Sequence, residues 1–165
     1  MKKEFIVLLS SFIFFLSCKD KEDSIEENKI NKSQISLDFP DTVFVNKPYN
    51  GRINYKNALD TITKSLDDIK KYRFIEYSYT KTNTINYDEK HLKNIVTDTF
   101  IALKSSFIPL NNIQFDKLGV NYIDGMITDE VMIDNGIKNE KGEPVIRIIT
   151  NEFRVTKEVF VIKNP

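Results

Sequence analysis

The residues that could carry out catalysis in this chain are few. Asp124, Glu130 and Asp134 stand at alternate positions of a predicted strand, so their carboxylates share one face if the register is unbroken. Two such groups at a fixed separation, one of them with a raised pKa, can hydrolyse a glycosidic bond. Gly125 predicts a β-bulge that would break this register, and acids on a strand ordinarily form a solvated face. We therefore predict no catalytic residue, and a glycan- or peptide-acting hydrolase that uses carboxylates is the alternative hypothesis.

Histidine chemistry has little support in the sequence. His91 is the only histidine, and it lies in the polar stretch Asp88–His91 with no recognisable partner motif for a nucleophilic serine. We expect an exposed side chain there. Zinc sites of the usual type need several histidine or cysteine ligands, and the chain has one of each, so we predict no zinc site.

Calcium is the other ion that these residue types could bind. Asp134-Asn135-Gly136, with Asn139 and Glu140, supplies oxygen atoms within one loop, but the spacing does not follow a calcium-binding loop. An Asn-Gly pair in a β-hairpin connection explains the same residues without an ion. The five glycines of the chain are isolated, so no phosphate-binding loop is present in the sequence. We predict neither a metal nor a cofactor.

The start of the chain predicts export. A basic N-terminus precedes an almost unbroken apolar run from Phe5 to Phe15, which is the pattern of a secretory signal peptide. A transmembrane helix would need about twenty apolar residues, and this run meets charge at Lys19. Phe15-Leu16-Ser17-Cys18 ends in the only cysteine and resembles the lipobox of bacterial lipoproteins of the Bacteroidota type. That resemblance implies that residues 1–17 are removed and that lipid is attached to the Cys18 thiol through a thioether.

Residues 18–34 are predicted to form a flexible tether. Charge dominates from Lys19 to Lys29, and such a segment has too little apolar content to form a core. The run also resembles the short lysine- and acid-rich export signal that follows the cysteine in surface lipoproteins of the same bacteria. The resemblance implies an outer-membrane lipoprotein, and display on the cell surface is a hypothesis, because a plain spacer explains the charge equally well.

Bulk composition narrows the possible partners. The 165 residues contain 24 Lys and Arg against 24 Asp and Glu, so the chain has no net basic field that would attract nucleic acid. With a single cysteine, no intramolecular disulfide can form, and the domain must be held by its core. We expect one domain, residues 35–165, attached to a membrane through lipid on Cys18, with an envelope protein or a glycan as a further partner.

Short extended segments dominate this domain. Alternation of apolar and polar residues predicts strands around Ile35–Phe39, Val43–Val45, Ile53–Tyr55, Tyr72–Thr80, Phe100–Leu103, Phe107–Ile108, Leu118–Ile133 and Val145–Ile162. Asn111-Asn112 predicts a turn. In the Tyr72–Thr80 strand, one face carries Tyr72, Phe74, Glu76 and Ser78 and the other carries Arg73, Ile75, Tyr77 and Tyr79. Neither face is wholly polar, so we expect a second sheet to cover one of them.

One short helix is predicted. Leu59, Ile62, Leu66 and Ile69 recur at spacings of three, four and three, which places them on one helical face. We expect this helix to cover an edge of the domain. A second, weaker helical turn is possible around His91.

Two segments carry a fold resemblance. Leu118-Gly119-Val120-Asn121-Tyr122 is similar to the segment that leads into the penultimate strand of immunoglobulin-like modules, and Val155–Val161 resembles their last strand. The resemblance implies a mainly β domain, an antiparallel immunoglobulin-like β-sandwich. The buried tryptophan and the disulfide of that family have no counterpart, because the chain contains no tryptophan and one cysteine.

These observations predict an exported, membrane-anchored lipoprotein without enzymatic activity. Its domain would bind a protein or glycan, or form a structural part of the cell envelope. Exposed tyrosines such as Tyr77 or Tyr79 in a shallow groove would favour a sugar, whereas a broad apolar patch would favour a protein.

Overall fold

The structure, a computed structural model, describes residues 33–165. The predicted signal peptide, Cys18 and all but the last two residues of the predicted tether lie outside the described residues. The described part is mainly β. Its elements are β1 (Gln34–Asp38), β2 (Thr42–Phe44), β3 (Tyr49–Lys56), a 3-10 helix (Ala58–Thr61), β4 (Lys71–Thr82), α1 (Glu89–Asn94), β5 (Asp98–Ile101), β6 (Phe107–Ile113), β7 (Gly119–Lys138) and β8 (Pro144–Ile162).

The strands form two sheets. One has three strands in the order β1-β3-β6, and the other has five in the order β2-β8-β7-β4-β5. Neighbouring strands are antiparallel except for β2 and β8, which run parallel. The first extended segment is divided between the sheets at Phe39-Pro40, because a proline has no N–H with which to continue a ladder. The predicted break at Pro40 is confirmed.

A single cluster of buried side chains joins both sheets. Strands β3 and β6 contribute residues such as Ile53 and Ile108, and the five-stranded sheet contributes Ile75, Ile127 and Val159. In β4 the odd-numbered residues from Arg73 to Tyr79 are all buried, while the alternate residues from Phe74 to Ser78 are partly exposed. The predicted two-residue period, with one covered face, is confirmed for this strand.

The predicted helix over Leu59–Ile69 is wrong. The segment forms only the 3-10 helix Ala58–Thr61, and Ile69, which should lie on the buried stripe, is 97% exposed. Side chains compete with the backbone along this stretch: the Thr63 hydroxyl accepts from the Ser65 N–H, and the Asp68 carboxylate accepts from the N–H groups of Lys70 and Lys71. Such local bonds favour turns over a helix. Within residues 33–165 the one α-helix is α1, which overlaps the helical turn predicted around His91 to Val96.

Two turn and bulge predictions are also wrong, and a third is confirmed in part. β7 pairs with β8 in unbroken register from Gly119 to Asp134, so Gly125 lies in no bulge. Asn112 lies within β6 rather than in a turn, at φ 58° beside a register shift of the β3–β6 pair. The hairpin connection predicted at Asn135-Gly136 and at residues 139–144 is confirmed at 139–143, whereas Asn135-Gly136 lies in an irregular part of β7.

Gly125 is needed for close approach instead. A Cβ atom there would lie 2.5 Å from the Ser78 carbonyl oxygen and 2.7 Å from Tyr79 Cβ. Real Cβ atoms do not come so near to other heavy atoms. The glycine therefore lets β4 and the aromatic side chains of its core face pack against β7.

The β7–β8 hairpin extends past the rest of its sheet. β4 pairs with β7 only as far as Ile133, which pairs with Arg147 of β8. We call residues 134–146, which lie beyond this row, the arm. Every residue of the arm is exposed.

Candidate functional site

Asp124 is the centre of a polar cluster on the outer face, by which we mean the face of the five-stranded sheet turned away from the shared core. Arg154 donates to it through Nε (3.1 Å to Oδ1) and Nη2 (2.7 Å to Oδ2). The Thr156 hydroxyl donates to Oδ1 at 2.7 Å and the Tyr87 hydroxyl to Oδ2 at 2.8 Å. Four hydrogen bonds therefore reach one fully buried carboxylate.

These contacts hold Asp124 in its charged form. Burial, the largest single influence, raises its pKa, but the hydrogen bonds from Arg154, Thr156 and Tyr87 together outweigh burial, so the pKa lies below the ordinary value of an aspartate. Burial and the bond to Asp124 raise the pKa of Tyr87. A carboxylate with a lowered pKa cannot serve as a general acid near neutral pH, so the cluster does not have the properties of a catalytic acid.

The cluster fastens the segment between β4 and β5 to the outer face. Arg154 Nη1 donates to the Tyr87 carbonyl at 3.0 Å, and its guanidinium lies 5.2 Å from the Tyr87 ring centroid. Beyond Tyr87, Asp88 caps α1, Leu92 is fully buried, and Lys93 bonds to Glu152 at 2.7 Å. Arg154 and Asp124 thus position α1 over β7 and β4.

The predicted carboxylates are not brought together. The register of β7 is unbroken, so Asp124, Glu130 and Asp134 do share a face, but Asp124 and Glu130 are separated by about 20 Å of strand at about 3.3 Å per residue. Carboxyl groups that hydrolyse glycosides stand about 5 to 9.5 Å apart. Asp134 is exposed and accepts from the Gly136 N–H. No two of the three have the separation that the hydrolase hypothesis requires.

A second polar cluster lies inside the core. Arg73 of β4 donates to Asp129 of β7 through Nε (2.8 Å) and Nη2 (2.6 Å), and Nη1 donates to Asp60 at 2.7 Å. The side chains of Arg73 and Asp129 are fully buried. Burial alone would lower the pKa of Arg73, but the bonds to the two carboxylates raise it. The sequence analysis missed this pair, although an arginine that alternates with Ile75 and Tyr77 was its visible signal.

Tyr55 and Asn57 complete the internal cluster. The Tyr55 hydroxyl donates to Asp129 Oδ2 at 2.9 Å, and Asn57 Nδ2 donates to the same oxygen at 2.7 Å. Burial, and then the Asp129 charge, raise the pKa of Tyr55. Within residues 33–165, no buried side-chain nitrogen or oxygen lacks a hydrogen-bond partner. The cluster therefore joins the 3-10 helix to both sheets and leaves no free group there for a ligand.

The tyrosines considered for sugar binding are in the core. Tyr77 and Tyr79 are 0% and 4% exposed, and their rings stack at 5.8 Å between centroids. Tyr79 also stacks on Phe100, and the Tyr77 hydroxyl donates to the Val155 carbonyl at 2.9 Å. The expectation that they could line a sugar-binding groove is wrong, because their strand directs them at the other sheet.

The predicted exposure of His91 is confirmed. Its backbone N–H donates to the Asp88 carboxylate, and its ring lies 5.4 Å from that of Tyr87. In the loop considered for calcium, the Asn139 side-chain oxygen accepts from the N–H groups of Lys141 and Glu143. Across the described residues, no group of three His, Cys, Asp or Glu side chains is arranged to hold a metal ion.

Several exposed apolar side chains lie on and beside the arm. Ile137, Val145 and Ile146 in the arm are 59%, 46% and 42% exposed. On the outer face at the base of the arm, Tyr72, Met132 and Ile148 form one row across β4, β7 and β8. Tyr72 and Ile148 of this row are about half exposed. Ile146 lies on the same face as this row, whereas Val145 lies on the opposite face of the ribbon. Exposed apolar surface of this kind marks interaction sites on proteins.

Comparison with protein-family models, with curated proteins and with solved structures finds no match to this chain. Among residues 33–165, no helix is long and apolar enough to cross a membrane.

Proposed function

We propose that this chain is an exported, lipid-anchored envelope protein whose domain binds a partner protein through the arm. The observation that carries the binding role is the exposed apolar surface of Ile137, Val145 and Ile146 on a hairpin that reaches beyond the sheet. A ribbon with few core contacts adds little to the stability of its own domain. Its apolar side chains favour a protein partner over a glycan. Tyr77 and Tyr79, the tyrosines considered for glycan binding, are buried.

The anchor part of the proposal is supported by sequence alone. The apolar run, the single cysteine at position 18 and the charged stretch after it agree with a lipoprotein precursor. More than one acyl chain on one residue gives effectively stable membrane attachment. Labelling of cells with a fatty acid analogue tests this: we expect the label on the wild-type protein and none on Cys18→Ala. Label that persists on Cys18→Ala would overturn the anchor.

Display on the cell surface is proposed separately, from the lysine- and acid-rich stretch after Cys18. Protease added to intact cells should then remove the domain while a periplasmic marker protein stays whole. Complete protection of the domain until the outer membrane is opened would contradict surface display and leave the anchor unaffected.

We also propose that the domain is immunoglobulin-like, and the strand order supports this. With β1 and β2 as two halves of the first strand, one sheet reads A-B-E, and the other places G, F and C side by side with a further strand beyond C. These are the neighbours expected in such sandwiches. At the start of the penultimate strand, Asn121 Nδ2 donates to the carbonyls of Lys117 and Gly119, which closes the corner that a tyrosine closes in many of these domains.

A role without catalysis is better supported than the hydrolase hypothesis. Asp124 and Asp129 each accept four hydrogen bonds inside the domain. Glu130 lies six residues along the strand from Asp124 and on the opposite face of the sheet from its neighbour Asp129. Hydrolysis of a glycan or peptide by the purified protein, abolished by Asp124→Asn or Glu130→Gln, would replace the binding proposal with the hydrolase hypothesis.

The arm itself can be tested by partner capture from the native envelope. Ile137→Ser with Val145→Ser should abolish capture of proteins that the wild-type chain retains, because both changes remove apolar contact area without entering the core. Leu103→Ser with Leu118→Ser is the matched control, since these leucines are 72% and 51% exposed and lie outside the arm. Equal capture by wild type and the arm variant would show that binding does not use the arm.

A further inference from the structure

The outward edge of β8 is open over most of its length. In residues 33–165, the only strand that pairs with this edge is β2, which covers Phe160–Ile162. The Phe160 N–H donates to the Asp41 carbonyl, so the even-numbered residues of β8 direct their backbone groups outward. From Ile146 to Glu158, the even-numbered residues therefore present unpaired N–H and C=O groups in a row, with neither a proline nor a bulge along it. A long regular edge of this kind is a template for another strand.

We propose that this edge pairs with the same edge of a second copy of the chain, antiparallel and centred on Ile149, to make one continuous ten-stranded sheet. This interface shares Val145 and Ile146 with the arm but does not include Ile137, and the inference does not depend on the lipid anchor. It names the β8 backbone as the interface and this chain itself as the partner.

Two constraints narrow the register to centres at residues 148 to 150, and the match of apolar side chains then favours Ile149. A two-fold axis requires that opposite residues lie on the same face, so their numbers must add to an even total. Centres beyond residue 150 drive the hairpin turn of one copy into β2 of the other, which occupies the place beside Phe160. A centre at residue 147 would place Arg147 opposite itself, and like charges opposite each other destabilise a sheet.

The centre at Ile149 matches apolar side chains. Val145 of each copy lies opposite Phe153 of the other, and Ile149 lies opposite its own counterpart. The three residues are partly or largely exposed in the single chain. No like charges oppose each other along the strand, since Arg147 meets Asn151. Apolar and aromatic cross-strand pairs each stabilise a sheet.

The paired area is that of a weak dimer. Centred on Ile149, the register pairs residues 144–154 of the two copies. That edge is about 37 Å long at about 3.35 Å per residue, and with a sheet about 10 Å thick it covers roughly 370 Å² on each copy. The total of roughly 740 Å² lies below the about 1,000 Å² at which stable interfaces begin, so the dimer should form at raised protein concentration.

The first test measures mass in solution. Sedimentation of the full-length chain with Cys18→Ser in mild detergent, over a concentration series, should show a monomer that converts to a dimer as the protein concentration rises. Thr150→Pro removes an outward N–H and leaves the β7–β8 ladder intact, because only odd-numbered residues of β8 bond to β7. We expect it to weaken the dimer by at least about tenfold, since the symmetry removes two hydrogen bonds. Thr150→Ala, which keeps the N–H, is the matched control and should dimerise as the wild type does.

A second test holds even if the proline variant does not fold. Ile146 lies opposite Glu152 of the other copy, so a mixture of Ile146→Cys chains and Glu152→Cys chains in the Cys18→Ser background should form a disulfide between copies. Either chain alone should not, because identical positions then lie about 20 Å apart. A wild type that stays monomeric throughout the concentration series, a dimer equally stable in Thr150→Pro, or disulfides in the single-variant samples would each overturn the proposal.

Discussion

Two aspartates of β7 are buried for different structural tasks. Asp124 faces outward and meets Arg154 of the neighbouring strand, whereas Asp129 faces the core and meets Arg73. Each pair is a planar guanidinium with two bonds to one carboxylate, the strongest geometry for a charged pair. Hydroxyl or amide donors add two further hydrogen bonds to each carboxylate, from Thr156 and Tyr87 to Asp124 and from Tyr55 and Asn57 to Asp129. Each buried charge is therefore stabilised by a complete set of partners.

The Asp124 cluster predicts a pH-dependent loss of stability. Asp124→Asn should lower the free energy of unfolding by about 2 kcal/mol at neutral pH, since it replaces bonds to a charged group by bonds to a neutral one. The folded pKa of Asp124 lies below the unfolded value of about 3.9. Its contribution is therefore present above about pH 4 and is lost as the pH falls through the folded pKa. Urea unfolding over a pH series measures this.

The exposed Asp134→Asn serves as the control, with a change within about 0.5 kcal/mol. If the difference between wild type and Asp124→Asn stays constant down to strongly acidic pH, the cluster does not act through the Asp124 charge.

The internal cluster predicts a larger effect. Arg73→Met leaves the Asp129 carboxylate buried without its cation, which should cost about 3 to 5 kcal/mol of unfolding free energy. Arg52→Met is matched in chemistry, but Arg52 pairs with Asp38 at the surface, where such pairs contribute little. Thermal and urea unfolding of both variants compare them directly. Similar losses for the two arginines would contradict the role given to burial.

At the scale of elements, the strands could be predicted from the sequence, whereas the irregular segments could not. β4 has a two-residue period over many residues, so the division of its side chains between two faces follows from the sequence. Both faces carry apolar residues, so the sequence does not say which of them the second sheet covers. The segment Leu59–Ile69 has a helical period, but Thr63, Ser65 and Asp68 bond to nearby backbone, and that competition is invisible to a count of apolar positions.

The polar clusters depend on contacts between distant elements. Arg73 and Asp129 are separated by 56 positions, and Tyr87 reaches Asp124 from a loop. A charge on the covered face of a strand signals that a partner is needed, but the register that supplies the partner is a tertiary property. The sequence alone therefore could not predict which residues form each cluster.

Contact between β4 and β7 predicts the effect of a single methyl group. Gly125→Ala should lower the free energy of unfolding by about 1 to 3 kcal/mol, because the added Cβ meets the Ser78 carbonyl and the Tyr79 side chain and forces the strands apart. Thr150→Ala, at an exposed position of β8, should change it by less than about 0.5 kcal/mol. A wild-type-like melting temperature for Gly125→Ala would mean that β4 and β7 can move apart around the added methyl group without loss of stability.

The whole domain has a core rich in tyrosine, which predicts alkaline unfolding. Burial raises the pKa of Tyr79 to about 12 and that of Tyr77 well above its ordinary value of about 10. The folded state thus keeps these protons while the unfolded state releases them, so stability is full below about pH 10 and falls as the pH rises towards 12. Unfolding followed by circular dichroism and by tyrosinate absorbance should show both signals changing together. Tyrosinate absorbance that rises fully before the fold is lost would contradict the burial of these hydroxyls.

The parallel pairing of β2 with β8 determines how the domain responds to traction. Tension applied between Ser33 and Pro165 pulls β2 towards its start and β8 towards its end, so the two strands are drawn in opposite directions along their shared axis. The hydrogen bonds Val45 N–H to Ile162 and Phe160 N–H to Asp41 are then loaded in shear, all at once, rather than opened one after another. A protein held at its N-terminal side and gripped elsewhere would meet its greatest mechanical resistance at this short ladder, and that resistance would come from its geometry rather than from its thermodynamic stability.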